Sequence, residues 1–447
     1  MIKRLTLILL VLSIAGGVIF SQEISEKKEL AVFKLSYWDY DIPQSAIGSI
    51  DEEIKSVFIN LGRFNVIGMT YRLGQDDVNA FIGKIKEYKQ QNVKIPEKFQ
   101  MGREIFTERD MNQLIGSFYV VIPAVTFFSV EKDKSGDYSA EVKVSVSVID
   151  VEKANTFAQF FVETDGTSGD SGERAAQRAI AKIPVMLEYE VTKIPEFTLK
   201  TAVLETRGGE VLIALGQNMG IRMGYEFMVL SPKVLGSGRT FASETGLVLI
   251  KEVGEEASLA TVLYGFPKEG DQLKEVPRIG FETTPYFDVL INPFDEFGVN
   301  FVAGIRASWT KGLYGFRPIV GFEFPLPIGT TDTLLPYLWI AGFPFNVYLG
   351  GEATFYVRRL QITPQVGVGA GFLVPWWVKL EDKFIVTHIG GFANMNLSYL
   401  ITRDIKLSID LGYKHWIGIW DVLLEYVTDK TTSYGGFMVG GGVTFKL

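Results

Sequence analysis

Apolar and polar residues alternate along the final stretch of the sequence, GGFMVGGGVTFKL at positions 435–447. In an extended strand, successive side chains point to opposite faces. One face would then carry Phe437, Val439, Gly441, Val443, Phe445 and Leu447, and the other Met438, Gly440, Gly442, Thr444 and Lys446. A strand with lipid on one side and a packed or wet lumen on the other requires this alternation. The pattern predicts the closing strand of a membrane β-barrel.

The same alternation recurs from about residue 278 onward. Outward rows are predicted at every second residue of Val299–Trp309, Phe316–Phe324, Phe345–Val357, Ile362–Val374, Ile389–Ile401, Ile405–Tyr413 and Phe437–Leu447. With Ile279–Leu290 as the first strand, the count is about eight, as in the smallest common bacterial barrels. The stretch Leu334–Ala341 could instead be a strand, which would disturb that even number. A soluble β-sandwich is the alternative, but it would not normally place Phe and Trp in outward rows on nearly every strand.

Residues 29–190 mix short apolar runs with helical spacing, which predicts an α/β domain over 22–190. Strands are predicted at Leu30–Leu35, Arg63–Ile67, Phe118–Val130, Ala140–Val151 and Thr156–Glu163. Apolar residues recur at helical spacing from Ile50 to Leu61, from Val78 to Tyr88 and from Ala175 to Ile183, which predicts three helices. Another helix is expected to begin near Thr107. Gly62 is predicted to stop the first helix and Pro184 the last one.

Residues 197–275 consist of short strands separated by glycine turns, at 209–230, 245–253 and 260–266. This spacing favours a small closed β-barrel. Any all-β module built from hairpins is the alternative, since sequence patterns separate the two poorly.

The first residues carry the parts of a secretory signal peptide over 1–21: Lys3 and Arg4, an apolar run from Leu5 to Phe20, and the small Ser21. An uncleaved membrane anchor is the alternative, but the run is short for a span and contains two glycines. No later segment has the length and apolar character of a transmembrane helix. Export combined with an alternating 278–447 segment predicts a bacterial outer-membrane barrel, with residues 22–275 facing the periplasm.

The element order of residues 29–190, with LGRFNVI at 61–67 and FTERDMNQLIGSFYVVIPAV at 106–125, resembles a periplasmic domain family. The family that it resembles is the α/β domain shared by the curli-secretion lipoprotein and the amino-terminal domain of the Tol translocation protein. The 197–275 module is similar to the SH3-like C-terminal domain of the flagellar assembly protein T. The resemblance implies envelope assembly. The curli protein is a lipoprotein, however, and this chain has no cysteine to carry lipid.

Composition narrows the function classes. The net charge of −8 and the lack of a basic cluster argue against a nucleic-acid partner. The absence of cysteine excludes disulfides, thiolate metal sites and cysteine nucleophiles. The 33 phenylalanines and 46 glycines suit a barrel with aromatic girdles and close strand packing.

Inward positions of the predicted barrel strands carry charges of both signs: Arg306, Arg317, Glu323, Glu352, Lys406, Asp410 and Lys414. An eight-stranded barrel is just wide enough for side chains to fill it, and charges removed from water must pair. We therefore favour a structural, ion-paired plug. A selective pore or proton path is the functional alternative.

The GDSG segment at 169–172 matches the nucleophile segment of trypsin-like serine proteases. A hydroxyl nucleophile needs a nearby general base, usually histidine, and both histidines, His388 and His415, fall in the predicted barrel. The segment 165–173 is better interpreted as a turn whose Asp170 caps the following helix, with Glu173 three residues on. His415 and Trp420 are assigned to an interfacial aromatic girdle, as is the pair Trp376–Trp377.

These observations predict a non-enzymatic outer-membrane protein with no cofactor or metal site. Its 278–447 barrel would anchor a periplasmic scaffold or envelope-assembly part, and its partners would be outer-membrane lipid and envelope proteins. A transport or secretion channel component is the first alternative. The second is an outer-membrane hydrolase, which would need a polar catalytic constellation that the sequence lacks.

Overall fold

The computed structural model describes residues 23–37, 42–91, 93–134, 136–236, 239–293, 298–329, 335–376, 385–419 and 432–447. Along the chain follow a mixed α/β domain, a closed six-stranded β-barrel and a larger closed antiparallel barrel. The predicted signal peptide lies outside the described residues. Within the described ranges, no helix combines the length and the apolar character needed to cross a membrane.

The α/β domain is built on one sheet. Its strands are β1 (Lys28–Lys34), β2 (Ser36–Tyr37), β3 (Phe64–Arg72), β6 (Tyr119–Lys132), β7 (Tyr138–Asp150) and β8 (Asn155–Ser168). Their order is β3-β1-β6-β7-β8, with β1 parallel to both of its neighbours and short β2 paired to β6. A separate hairpin, β4 (Lys98–Met101) with β5 (Glu104–Thr107), has no counterpart in the sequence prediction.

Helices cover both faces of this sheet. They are α1 (Gln44–Asn60), α2 (Val78–Ile85) with a π-helical continuation Lys86–Gln90, α3 (Glu108–Gly116), α4 (Gly172–Ile180) and α5 (Ile183–Lys193). Leu30 and Val32 pack with α1, α4 and α5, whereas Ala31 and Phe33 pack with α2 and α3. A strand buried on both faces must be apolar at consecutive positions, which explains the run LAVF in β1.

Two local predictions about this domain were wrong. Pro184 does not end a helix: α4 already ends at Ile180, and Pro184 lies in the first turn of α5. Proline is tolerated there because an N–H at that position has no partner within the helix. The 165–173 segment is not a turn throughout, since β8 continues to Ser168. Ser171, not Asp170, caps α4 by accepting a hydrogen bond from the Arg174 amide.

The small barrel is closed by six strands. They are β9 (Lys200–Arg207), β10 (Glu210–Ile213), β11 (Glu226–Val234), β12 (Thr240–Val253), β13 (Ser258–Tyr264) and β14 (Gln272–Val276), in the order β10-β13-β12-β11-β14-β9. Its interior is apolar and includes Val203, Phe227, Val248 and Leu273. The expected small closed barrel is therefore present, and its likeness to an SH3-like module stays a prediction.

The larger barrel, called the membrane barrel below, is closed by eight strands. They are β15 (Phe281–Asn292), β16 (Gly298–Trp309), β17 (Phe316–Gly329), β18 (Gly342–Ala353), β20 (Leu360–Pro375), β21 (Ile385–Leu400), β22 (Ile405–Gly418) and β23 (Tyr434–Lys446). Pairing of β15 with β23 and of β18 with β20 completes the circle. Short β19 (Phe355–Val357) forms a hairpin with β20. The stretch considered as an extra strand contains helix α6 (Leu335–Ala341), so the count of eight is confirmed.

The outer surface of the membrane barrel is apolar, as the alternation predicted. Exposed outward side chains include Ile305, Val320, Leu349, Val368, Ile409 and Val439. The strand connections at 310–315, 358–359 and 401–404 are short and belong to the end that faces the small barrel. Among the connections that join the opposite strand ends, those between β17 and β18, β20 and β21, and β22 and β23 are longer. Such a difference between the two ends is typical of a transmembrane β-barrel.

Candidate functional site

Charged side chains from the inward positions meet inside the membrane barrel. All seven lumen residues predicted from the sequence are buried there: Arg306, Arg317, Glu323, Glu352, Lys406, Asp410 and Lys414. Three more, Glu282, Asp288 and Lys446, are buried with them. The last three also obey the period of two: Lys446 belongs to the second face already assigned to the final strand, and extending the inward row of β15 would have identified Glu282 and Asp288.

Glu323 is the centre of one cluster in the lumen. It accepts hydrogen bonds from four buried side chains, at 2.7 Å from Lys414 Nζ, 2.7 Å from the Tyr286 hydroxyl, 2.8 Å from Trp416 Nε1 and 3.1 Å from Asn346 Nδ2. Lys414 Nζ also lies 2.7 Å from Asp288 Oδ2. The Glu323 carboxylate is thus held by a cation and three neutral donors, which compensates for its removal from water.

A second cluster lies nearer the short-turn end. Glu282 accepts from Arg317 Nη1 at 3.1 Å and from Lys406 Nζ at 2.7 Å. Glu352 lies 3.2 Å from Arg317 Nε and accepts from Gln365 Nε2 at 2.7 Å. The cluster therefore ties together β15, β17, β18, β20 and β22.

Arg306 and Asp410 form the third lumen group. The guanidinium donates two parallel hydrogen bonds to the carboxylate, at 3.1 and 3.0 Å. Asn394 and Asn396 complete the Asp410 site at 2.9 and 2.8 Å. A bidentate arginine pair fixes orientation as well as distance, so it sets the relative position of β16 and β22 across the lumen.

Side chains pack closely across the described part of the lumen. In that part, five buried carboxylates match five buried cationic side chains, so their formal charges cancel. The cavity between Arg306, Arg317 and Lys406 has a volume of about 20 Å³, which is room for roughly one water. Tyr348 lies against Gly321, where an added Cβ would come within 2.0 Å of the phenol ring.

The small barrel lies against the short-turn end of the membrane barrel. Its buried Glu226 pairs with Arg278 at 3.0 Å and with Lys446. Arg278 shortly precedes β15, the first strand of the membrane barrel, and Lys446 ends β23, the last one. Glu226 therefore contacts both sides of the barrel seam, where β15 and β23 pair. Arg278 also donates to the backbone oxygens of Lys446 and Arg403.

Apolar contacts and electrostatics complete this junction, whose charged centre we call the seam clamp: Glu226, Arg278 and Lys446. Leu400 of the membrane barrel is buried in a cluster with Leu247, Leu249, Leu263 and Val276 of the small barrel. Burial alone would raise the pKa of Glu226, but the charges of Lys446 and Arg278 outweigh it and hold that pKa below its usual value. The carboxylate is therefore ionised at neutral pH.

The α/β domain is attached to the same assembly by buried polar contacts. Arg63 forms a bidentate pair with Glu275 of β14, at 2.7 and 3.0 Å, and donates to the Phe197 carbonyl at 2.8 Å. Lys311, in a turn of the membrane barrel, lies 2.7 Å from Glu188 of α5. The α/β domain is thus joined to both barrels by specific ion pairs.

The α/β domain carries a surface groove of about 900 Å³ between α1, α4 and β6. Its floor is apolar, with Ala46, Phe128 and Ile180, and Glu53 and Glu173 also line it. The GDSG segment contributes only Gly172 to this lining.

The residues considered for catalysis or metal binding lie apart from one another. His388 and His415 belong to β21 and β22 of the membrane barrel, whereas the GDSG segment precedes α4 in the α/β domain. His388 is buried, with Nε2 2.9 Å from the Thr432 carbonyl oxygen. Across the described ranges, no three histidine or acidic side chains form a group that could hold a metal ion.

The girdle residues are only partly described. Trp376 is exposed at the end of β20, whereas Trp377 and Trp420 lie outside the described residues. His415 stacks on Tyr413 on the outward side of β22. Its neighbour Trp416 points inward and binds Glu323.

Comparison with solved structures finds barrels among the similar chains. A de novo designed transmembrane β-barrel is 13% identical, over 37% of this chain and 95% of that one, at a TM-score of 0.21. A major outer membrane protein from Thermus thermophilus is 14% identical, over 37% and 99%, at 0.22. The PelC dodecamer from Paraburkholderia phytofirmans is 17% identical, over 36% and 91%, at 0.22. No protein-family model and no curated protein matches the sequence.

Proposed function

We propose that this protein is a non-enzymatic outer-membrane anchor that holds a periplasmic scaffold or envelope-assembly part. The observation that carries this proposal is the charge-balanced packing of the described part of the lumen, where the cavity between Arg306, Arg317 and Lys406 has a volume of about 20 Å³, room for roughly one water. A barrel of eight strands is wide enough for its own side chains and little else. The activity therefore belongs to the soluble domains.

Strand-connection lengths support the placement of those domains in the periplasm. Outer-membrane barrels have short turns on the periplasmic side and longer loops on the outer side. Here the small barrel and the α/β domain contact the short-turn end through the seam clamp and through Lys311–Glu188. The same arrangement brings the α/β groove to the periplasmic side, where envelope proteins could bind it.

The first test measures conduction. The full chain, reconstituted in planar phospholipid bilayers, is expected to show no single-channel currents. The Glu226→Gln variant is the matched control. It weakens the contact between the small barrel and the short-turn end of the membrane barrel, but it changes no residue of the three charged groups in the lumen. Discrete currents from the wild-type protein would contradict the anchor proposal and favour the transport alternative.

The second test separates anchor from soluble part. Replacing residues 278–447 with an unrelated eight-stranded barrel should preserve most of the phenotype that the intact gene restores in a deletion strain. Deleting residues 29–190 should abolish it. If the swapped barrel inserts and folds but the phenotype is lost, the native barrel is itself the active element.

A further inference from the structure

A strongly exposed aromatic residue lies on the small barrel beside the membrane barrel. Phe266 follows β13 and is 81% exposed, the highest value among the large apolar side chains of the described ranges. Gly265 precedes it with φ +85°, and a Cβ there would lie 2.3 Å from the Thr245 carbonyl oxygen. Only glycine fits this turn, which directs Phe266 away from the barrel wall.

Arg358 joins Phe266 to the rim of the membrane barrel. It lies in the β19–β20 hairpin, its guanidinium carbon 4.7 Å from the centre of the Phe266 ring. Its Nη1 donates a hydrogen bond of 2.7 Å to the Gly265 carbonyl. The adjacent Arg359 lies 4.1 Å from the Tyr264 ring centre and donates to the Leu400 carbonyl at 2.7 Å. These contacts fix Phe266 relative to the hairpin.

The same hairpin carries the last outward residues of the barrel surface. Phe355 and Val357 are 60% and 57% exposed, and Leu360 pairs with Val357 across the turn. A single exposed apolar side chain needs no explanation. Phe266, however, contacts Arg358 at the turn of this hairpin, so it lies beside the short-turn end of the membrane barrel, next to the outward side chains Phe355 and Val357.

We propose that Phe266 and Arg358 form an interfacial anchor that inserts the edge of the small barrel into the phospholipid headgroup region of the adjoining leaflet. Aromatic rings are favoured at that level. The arginine stem can cover apolar surface while its guanidinium binds lipid phosphate. The inference rests on the proposed membrane placement, and it adds a second lipid contact, made by a domain outside the barrel.

The absence of native cysteine permits a direct measurement on the full chain. Phe266→Cys, Val357→Cys and Phe161→Cys each receive one nitroxide label, and the proteins are reconstituted in vesicles of phosphatidylcholine and phosphatidylglycerol. Phe161, 53% exposed on β8, is the matched aqueous control. Power saturation then measures how often each nitroxide label collides with oxygen, which concentrates in lipid, and how often it collides with a water-soluble nickel chelate.

We expect the oxygen-to-nickel ratio at position 266 to be several-fold higher than at 161 and below that at 357. A ratio at 266 equal to that at 161, with 357 in lipid, overturns the anchor while leaving the barrel placement intact. An aqueous signal at 357 instead overturns the barrel register and the inference with it.

Arg358 is tested in the Phe266→Cys background. Arg358→Gln should lower the ratio at 266, whereas Arg207→Gln, at an exposed position elsewhere on the small barrel, should not. An oxygen-to-nickel ratio at position 266 that is unchanged by Arg358→Gln would show that Arg358 is not part of the anchor.

Discussion

Two closed β-barrels occur in this chain, and their polarity is reversed. The small barrel buries Val203, Phe227 and Val248 and presents polar side chains to solvent. The membrane barrel buries Glu323 and Asp410 and exposes side chains such as Val368. Both satisfy backbone hydrogen bonds by closing the sheet. Closure of the sheet therefore does not determine which face is apolar. The medium around each barrel determines it.

The reversal changes what holds each barrel together. In the small barrel, burial of apolar area supplies the stabilisation, and each core side chain contributes through area and packing. Lipid tails give no comparable reason for apolar groups to enter the lumen of the other barrel. Paired charges occupy it instead, and their directional contacts connect strands that are distant around the circle.

The largest expected effect comes from giving the small barrel a buried charge. Val248→Asp places a carboxylate in an apolar interior without a cation, which costs several kcal/mol after relaxation. We expect the small barrel to unfold, shown by protease cleavage within 197–275, while 278–447 keeps its heat-modifiable migration on gels. Val248→Ala is the control, with a smaller loss. Resistance of Val248→Asp to protease would mean that the two interiors do not differ as described.

The converse change removes a charge from the lumen. Glu323→Ala leaves Lys414 with Asp288 alone and removes the acceptor of Tyr286 and Trp416, so the barrel should lose about 3–5 kcal/mol. Urea unfolding in detergent micelles measures it. Glu323→Gln keeps an acceptor oxygen and should cost less. Equal stability of all three proteins would show that the lumen cluster does not stabilise the barrel.

Neighbouring positions of β23 test the sidedness of the membrane barrel. Val443 faces outward, whereas the buried Thr444 hydroxyl lies 2.8 Å from that of Thr284. Val443→Arg should cost roughly 2–4 kcal/mol if the position is near the bilayer midplane, and Thr444→Arg should act through crowding and charge. Lipid-confined probes should label Val443→Cys more than Thr444→Cys. Equal labelling contradicts the strand register.

The smallest expected effect concerns the junction of the two barrels. Because the folded pKa of Glu226 is lowered, its contribution to stability is present above the ordinary value of about 4.5 and is lost as pH falls through the folded pKa. We expect the Tm of the small barrel in the full chain to exceed that of Glu226→Gln at pH 7 and to approach it only as the pH falls below 4.5 through the lowered folded pKa. The loss is moderate because Arg278 retains Asp404 at 2.7 Å. A pH-independent difference would exclude ionisation of Glu226 as the cause.

Local patterns predicted the elements of the membrane barrel because each depends on residues two positions apart. Alternation at Val299–Trp309 and Phe437–Leu447 follows from lipid on one face, so it is present in any short window. The same rule assigned all seven predicted charges to the interior. It missed Glu282 and Asp288 because the inward row of β15 was not extended.

Short-range signals were less decisive where two structures compete for the same residues. Leu334–Ala341 is apolar enough for a strand, yet residues 335–341 form a helix between β17 and β18. Pro184 is compatible with the end of one helix or the start of the next, and here it starts α5. Neither outcome can be read from composition alone.

The sequence by itself determined the order of regions, the strand alternation and the charged interior of the membrane barrel, because each is a property of neighbouring residues and their solvent. Only the tertiary structure decided which charges pair and where the small barrel binds. Glu226 meets Lys446 across 220 positions, and Arg63 meets Glu275 across 212. Such contacts depend on how whole domains are placed, and no periodicity within one segment encodes that placement.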